Sequence, residues 1–469
     1  MDIMNMGARA LSRAIEDDDL GVAELMQATL ERIDKANGRV NAIVSLQDGD
    51  DLMAEARAVQ DGPRKGWLHG IPIAIKDLAD AKGLPTSMGS PLFAGQIADH
   101  DDIFVRRIRE AGAIVIGKTN TPEFGLGSHT FNPVHGATAN PYDPSRSAGG
   151  SSGGAAAALA ARMLSVADGS DMMGSLRNPA GWNNVYGMRP SWGRVPSEPE
   201  GDMFLHQLST MGPMARSPED LAGLLDTMSG YEPRLPLSAR SEATVPHLDG
   251  DAKGLRLGWL GDWGGAFSYA PGMDDHSRAA LRSFEEIGCE VFDAPPPFDA
   301  EAIWDSWITL RSFAVAAGLS ALYEVPERRK ALKPAAQWEV ERGRNLTGPQ
   351  IQRASEQRSD WFRRAHDLFT TCDVVVLPSA QVWPFYVNDV HPTDVAGQKM
   401  DTYHRWMQVV TPASLIGLPV VNVPAGFGDN GLPLGLQLIG ARGTDARLLR
   451  LSARYHEATD WPNRRPPTL

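Results

Sequence analysis

Cysteine is almost missing: Cys289 and Cys372 are the only two in 469 residues. A single distant pair builds no disulfide framework and has no metal-ligand spacing, so buried thiols are expected. The 11 histidines fall in no HExxH arrangement, and neither a CxxC pair nor an EF-hand loop occurs, so no metal is expected. Positive charge is also in deficit, with 45 Lys and Arg against 58 Asp and Glu and a net charge of −13. Contact with a phosphate backbone needs clustered cations, whereas Arg106-Arg107 and Arg328-Arg329-Lys330 read as solvated helix faces; nucleic acid is not an expected ligand. No apolar run reaches the roughly 18 residues that a membrane span requires. The amino terminus, MDIMNMGARALSRAIEDDD, lacks a basic stretch followed by an apolar one. Neither a secretory signal nor a membrane partner is expected, and the chain reads as cytoplasmic.

A length of 469 residues, 42% of them hydrophobic, suffices for a large core of enzyme size. Val22, Leu25, Met26, Leu30 and Ile33 share one face of an amino-terminal helix that Gly38 is expected to stop. Helix and strand signals then alternate: a helix near 50–60, a strand over 71–76, a helix near 102–111, a strand over 113–117, an alanine-rich helix over 155–161 and a strand over 164–167. Such alternation predicts an α/β sheet covered by helices on both faces. A second α/β passage begins with a strand at 255–260 and a helix near 275–287. Residues 300–370 read as helical, with tryptophans at 304, 307, 338 and 361. Strand signals at 374–377, 415–426 and 432–440 and a helix near 444–457 close the chain. No Pro/Gly linker divides it, so one domain over 1–469 is expected: a helical arm (1–62), a core (63–229), a variable region (230–370) and a carboxy-terminal part of the same sheet (371–469).

Two patterns invite a function and fail on their surroundings. Residues 112–119, GAIVIGKT, fit the P-loop expression, but the β-branched run Ala113–Ile116 should be a buried strand, and Asn120-Thr121-Pro122 breaks the helix that must follow the lysine. GGSSG (149–153) fits a hydrolase nucleophile elbow with Ser151 as nucleophile and Asp373 with His391 or His404 as partners. An elbow needs a strand before it, and Asn140–Arg146, rich in proline, is not expected to be one. His129 and His135, in a loop near the serines, read as pocket wall or structure. What remains is a Gly/Ser turn, 149–154, feeding a helix N-terminus where free N–H groups collect, and Lys76 at the end of an apolar strand, where burial favours the neutral amine that a general base needs.

These residues carry a specific resemblance. GIPIAIKD (70–77), NPYDPSRSAGGSSGG (140–154) and SDMMGSLRNPA (170–180) resemble the blocks of the amidase signature family, and Ser151 and Ser175 stand 24 residues apart as the family pattern has them. GKTNTPEFGLGS (117–128), MRPSWGRVP (188–196) and GLPVVNVPAGF with GLPLGLQLIG (417–440) agree as well, and the likeness weakens only over 230–370. The resemblance implies a large mixed, twisted sheet and a serine amidohydrolase without cofactor, acting on a small amide or carbamate as a monomer or homodimer. By the same resemblance Ser175 is the nucleophile, Ser151 a bridging serine after a cis Gly150–Ser151 peptide, and Lys76 the base. The backbone N–H groups of Met172, Met173, Gly174 and Ser175 form the oxyanion hole, while Gly150, Ser152 and the ion pair of Asp171 with Arg177 give support.

One departure bears on specificity. The family usually reads Thr-Gly-Gly-Ser where this chain reads Met172-Met173-Gly174-Ser175. Two flexible apolar side chains beside the reacting carbonyl predict a hydrophobic pocket, for which Phe124, Gly127, His129, Phe131, Trp304 and Trp307 are the further candidates. An apolar or aryl amide is the expected substrate, with carbamates and esters open to the same acyl-enzyme route. The alternatives are the glutaminase subunit of a tRNA-dependent amidotransferase, which would need a partner protein, and an inactive binding homologue.

Overall fold

A computed structural model of the chain describes residues 2–469. Eight strands form one mixed sheet in the order Glu290–Asp293, Arg256–Trp259, Val374–Pro378, Pro433–Ile439, Val420–Phe427, Tyr186–Arg189, Thr210–Ala215 and Val166–Asp171. The first three run parallel, and every later neighbour pair is antiparallel. Alternation along the strands shows why both faces are covered. Val374 and Val376 enter one apolar cluster while Val375 and Leu377 enter another, and Val421 and Val420 divide in the same way.

A smaller sheet carries the lysine strand. Ile43–Val44 pairs with Ile114–Thr119, which in turn runs parallel to Pro72–Lys76. The Lys76 backbone N–H donates to Asp168 Oδ1 at 3.0 Å, tying this sheet to the last strand of the large one. The helix Gly153–Ala160 is buried on every side and packs between the two sheets' strands. Its small residues permit this: a Cβ on Gly154 would lie 2.3 Å from the Asn120 backbone nitrogen. The variable region is dominated by three long helices, Ala300–Tyr323, Pro334–Arg344 and Gly348–Thr371, with the first packed on the other two.

Several expectations need correction. The first long helix runs through Gly38 to Val40 and ends at Asn41, whose φ of 51° makes it the left-handed cap; Asn tolerates that conformation and supplies the stop expected of Gly38. Asp143–Ser147 is a strand after all, in a two-stranded ribbon with Ala139–Asn140, so the missing strand is no argument against an elbow at Ser151. Tyr186–Arg189 and Thr210–Ala215 are interior strands without a readable alternation, since each includes glycine and the second also Pro213. The buried strand expected in place of a P-loop is present as Ile114–Thr119, and buried Lys118 donates to the Ala79 carbonyl and to Thr86 Oγ1.

Candidate active site

Two strands end at one place. Lys76 is the last residue of Pro72–Lys76 and Asp171 the last of Val166–Asp171. The turn Ala148–Ser152 approaches from the other side through Gly149, whose φ of 74° and whose hypothetical Cβ, 2.5 Å from Asn178 Oδ1, admit only glycine. The Gly150–Ser151 peptide is cis.

Lys76 is 1% exposed, and its Nζ lies 2.7 Å from Ser151 Oγ, 2.9 Å from Ser152 Oγ and 3.1 Å from Ser170 Oγ. Burial lowers the amine to about 7 against the opposing pull of Asp168 and Asp171. A neutral amine has two N–H donors and one lone pair. With Ser152 and Ser170 receiving the donors, the lone pair is left for the Ser151 hydroxyl, the nearest of the three. Asp168 itself is pushed up to about 6 by burial, although the Lys76 N–H and the charges of Lys76 and Lys118 oppose that shift.

Ser175 lies in the turn after Asp171 and shares a cavity of about 320 Å³ with Ser151 and Ser170. Its hydroxyl makes no hydrogen bond among the described residues, and its carbonyl accepts the Ser152 N–H at 3.3 Å. The N–H groups of Met172, Met173 and Ser175 are likewise without partners among the described residues. Gly174 departs from expectation: its N–H donates to Asp171 Oδ1 at 2.9 Å, which leaves three free donors in the turn instead of four. Gly174 has φ 81°, whereas Met173 does not take a positive φ, so methionine fits where the family pattern has glycine.

Asp171 holds this turn. Both its oxygens receive Arg177 at 2.9 Å, Oδ2 also receives the Leu176 N–H at 3.1 Å, and Arg189 adds a further contact to Oδ1. Burial favours the neutral acid, but Arg177 and Arg189 outweigh it and keep the carboxyl well below the usual carboxylate range. Arg177 donates onward to Val410 O, Gln437 and Ser414. Arg177→Met therefore leaves a buried carboxylate short of its partner, and a loss of about 3–5 kcal/mol is expected in chemical denaturation.

Phe124 and Gly127 line the cavity together with Met172, Met173, Leu78 and Val315. His129 and Phe131 face a neighbouring cavity of about 530 Å³ across the wall Leu126–Ser128. Both His129 nitrogens are engaged, with Ser147 Oγ at 2.7 Å and the Val387 carbonyl at 2.9 Å, and burial lowers it to about 4; it is neutral wall and no base. Trp304 and Trp307 are core residues of the helix Ala300–Tyr323 and line neither cavity. Asp373 meets Arg256 and Arg447, so it assembles no triad with His404. Ser170, Asp168 and Arg311 were not legible as site residues, and His404 was weighed only as a partner of Ser151 in an elbow; Arg311 and His404 come from segments without a motif.

The Amidase family model matches residues 24–449. The chain belongs to the amidase signature family. It is 32% identical over 483 residues to an acylamidase of Rhodococcus erythropolis, covering 98% of this chain and 97% of that one. It is 33% identical over 480 residues to a glutamyl-tRNA(Gln) amidotransferase polypeptide of Thermus thermophilus, covering 97% of each. Among solved structures, a bacterial aryl acylamidase of the amidase signature family superposes with a TM-score of 0.91 at 26% identity, covering 98% and 99% of the two chains. A 6-aminohexanoate cyclic dimer hydrolase gives 0.89 at 26% identity, covering 99% of each. The amidase signature protein is accordingly a hydrolase of non-peptide C–N bonds. No helix among the described residues is long and apolar enough to cross a membrane.

Proposed function

We propose that the chain hydrolyses apolar or aryl carboxylic amides through an acyl-enzyme on Ser175. The observation that carries this reading is the buried Lys76 amine, lowered to about 7 and 2.7 Å from Ser151, which lines the same cavity as Ser175. Ser151 takes the Ser175 proton while giving its own to neutral Lys76, and Ser175 Oγ attacks the carbonyl carbon. The free N–H groups of Met172, Met173 and Ser175 receive the charge that develops on the carbonyl oxygen. The proton then returns through Lys76 and Ser151 to the departing nitrogen, and water repeats the sequence on the ester. The relay closes when substrate draws the Ser175 hydroxyl onto Ser151, a tightening common when substrate binds.

The substrate half of the reading rests on the lining. Leu78, Met88, Phe124, Met173, Val315 and Leu319 make most of the wall apolar. Acylamidase and aryl acylamidase relatives support the same class. The amidotransferase relatives keep glutaminase activity as the second reading. Purified chain on its own is expected to hydrolyse an anilide at least about 100-fold faster, in kcat/KM, than it releases ammonia from glutamine. Met173→Gly should narrow the preference for the anilide over a small aliphatic amide by roughly tenfold, the worth of one buried side chain contact. Glutamine as the better substrate, or an unchanged preference in Met173→Gly, contradicts the apolar-site reading.

A further inference from the structure

The cavity contains a cation that the relay leaves idle. Arg311, with 4% of its side chain exposed, reaches the cavity from the helix Ala300–Tyr323. Its Nε donates to Glu339 Oε1 at 2.7 Å and its Nη2 to the Tyr403 hydroxyl at 2.9 Å. Nη1 has a single partner, Met172 Sδ at 3.2 Å. A thioether is a weak acceptor. Arg177 offers the contrast, since each of its three nitrogens donates to oxygen and it plays a purely structural part. A second polar group stands beside Arg311: His404 is buried, lines the same cavity, and has neither ring nitrogen hydrogen-bonded. Buried polar groups are nearly always paired, so two underused ones on one otherwise apolar wall mark a place for a polar atom of the ligand.

The chemistry of that atom follows from the charges around it. Glu339 lies against the guanidinium, and its oxygens also receive Tyr403 at 2.8 Å and Ser312 at 2.6 Å, so arginine and glutamate together form a neutral unit. Burial and the nearby Arg311, Arg342 and Arg405 keep His404 uncharged. A ligand carboxylate would therefore add an uncompensated buried charge, whereas a neutral oxygen would add none. The side of the substrate follows from the relay. The leaving nitrogen takes its proton from Ser151, which places the leaving group toward Phe124 and Gly125, where a Cβ on Gly125 would lie 3.5 Å from Ser151 Oγ. The acyl chain then continues toward Met172 and Arg311.

We propose that Arg311, with His404 beside it, selects acyl groups that carry a neutral oxygen acceptor, a ketone or ether set back from the scissile carbonyl, and that flexible Met172 turns aside to admit it. This deepens the amide-hydrolase reading and rests on it. The test is a series of straight-chain acyl para-nitroanilides in which each methylene in turn is replaced by an ether oxygen, with one further member ending in a carboxylate. One ether position should raise kcat/KM by roughly tenfold or more over the parent, mainly through KM, because a donor placed for an oxygen discriminates against its absence. The carboxylate should bring no such gain. In Arg311→Met the ratio of that ether to the parent, taken within the one variant, should fall to about one. Arg311→Met combined with Glu339→Met removes both charges together and serves if the single variant does not fold. No favoured ether position in the wild type, a favoured carboxylate, or a ratio that survives both variants overturns the proposal. Failure of the wild type to hydrolyse any member, parent included, overturns the amide-hydrolase reading instead.

Discussion

Ser175→Ala is expected to lose amide hydrolysis by on the order of a million-fold, the scale on which removing a nucleophile from a serine hydrolase acts. The hydroxyl lies in the cavity, bonded to no described residue, beside three backbone donors without partners. Water cannot take its place with comparable effect, because the relay through Ser151 is aimed at an oxygen fixed to the chain. The fold should persist in this variant: the serine is at the cavity surface, and the turn is held by Asp171, Arg177 and the Leu176 and Gly174 N–H groups, none of which is touched. Single-turnover measurements on an anilide, with thermal unfolding as the control, read both halves of this expectation.

Lys76→Met should cost about 10²–10⁴ in kcat/KM, the range in which a general base acts. It should also remove the acid limb of the pH profile. In the wild type the base is the neutral amine, so kcat/KM is low while Lys76 is protonated, rises as pH rises through about 7, and levels above it. Burial sets that midpoint against the pull of Asp168 and Asp171, well below an ordinary lysine at 10.5. Methionine is unbranched, one atom shorter and uncharged, and it ends the desolvation cost of the buried amine, so loss of activity with retained stability is expected. A profile measured from acid to alkaline pH on wild type and variant checks the sign. An acid limb that survives in Lys76→Met would assign the titration to another group.

Lys76 and Ser151 were legible as candidates because local chemistry marks them, and their roles came with the resemblance. Lys76 ends a β-branched run that had to be buried, and Ser151 sits in a turn of glycines that no helix or strand interior would accept. Ser175 was legible only by resemblance, since its own turn holds Gly174 but two methionines before it. The central sheet was half legible. Strands with Val and Leu on both faces, such as Val374–Pro378, declare themselves, whereas Tyr186–Arg189 owes its place to neighbours on either side. The tryptophans misled for a physical reason: Trp304 and Trp307 share one helix face, and that face turns into the core. Arg311, four residues beyond Trp307, lies on that same face one turn further along, where it borders the cavity. Its partners Glu339 and Tyr403 come from distant segments, and only tertiary packing brings such a set together.

The central claim is that Ser175 attacks and Ser151 relays. A fluorophosphonate applied to the native chain, followed by digestion and mass mapping of the adduct, tests it most directly. The expected result is one phosphonylated serine, Ser175, with labelling that slows as Lys76 becomes protonated and vanishes in Ser175→Ala. An adduct on Ser151, or full labelling of Ser175→Ala, would contradict it.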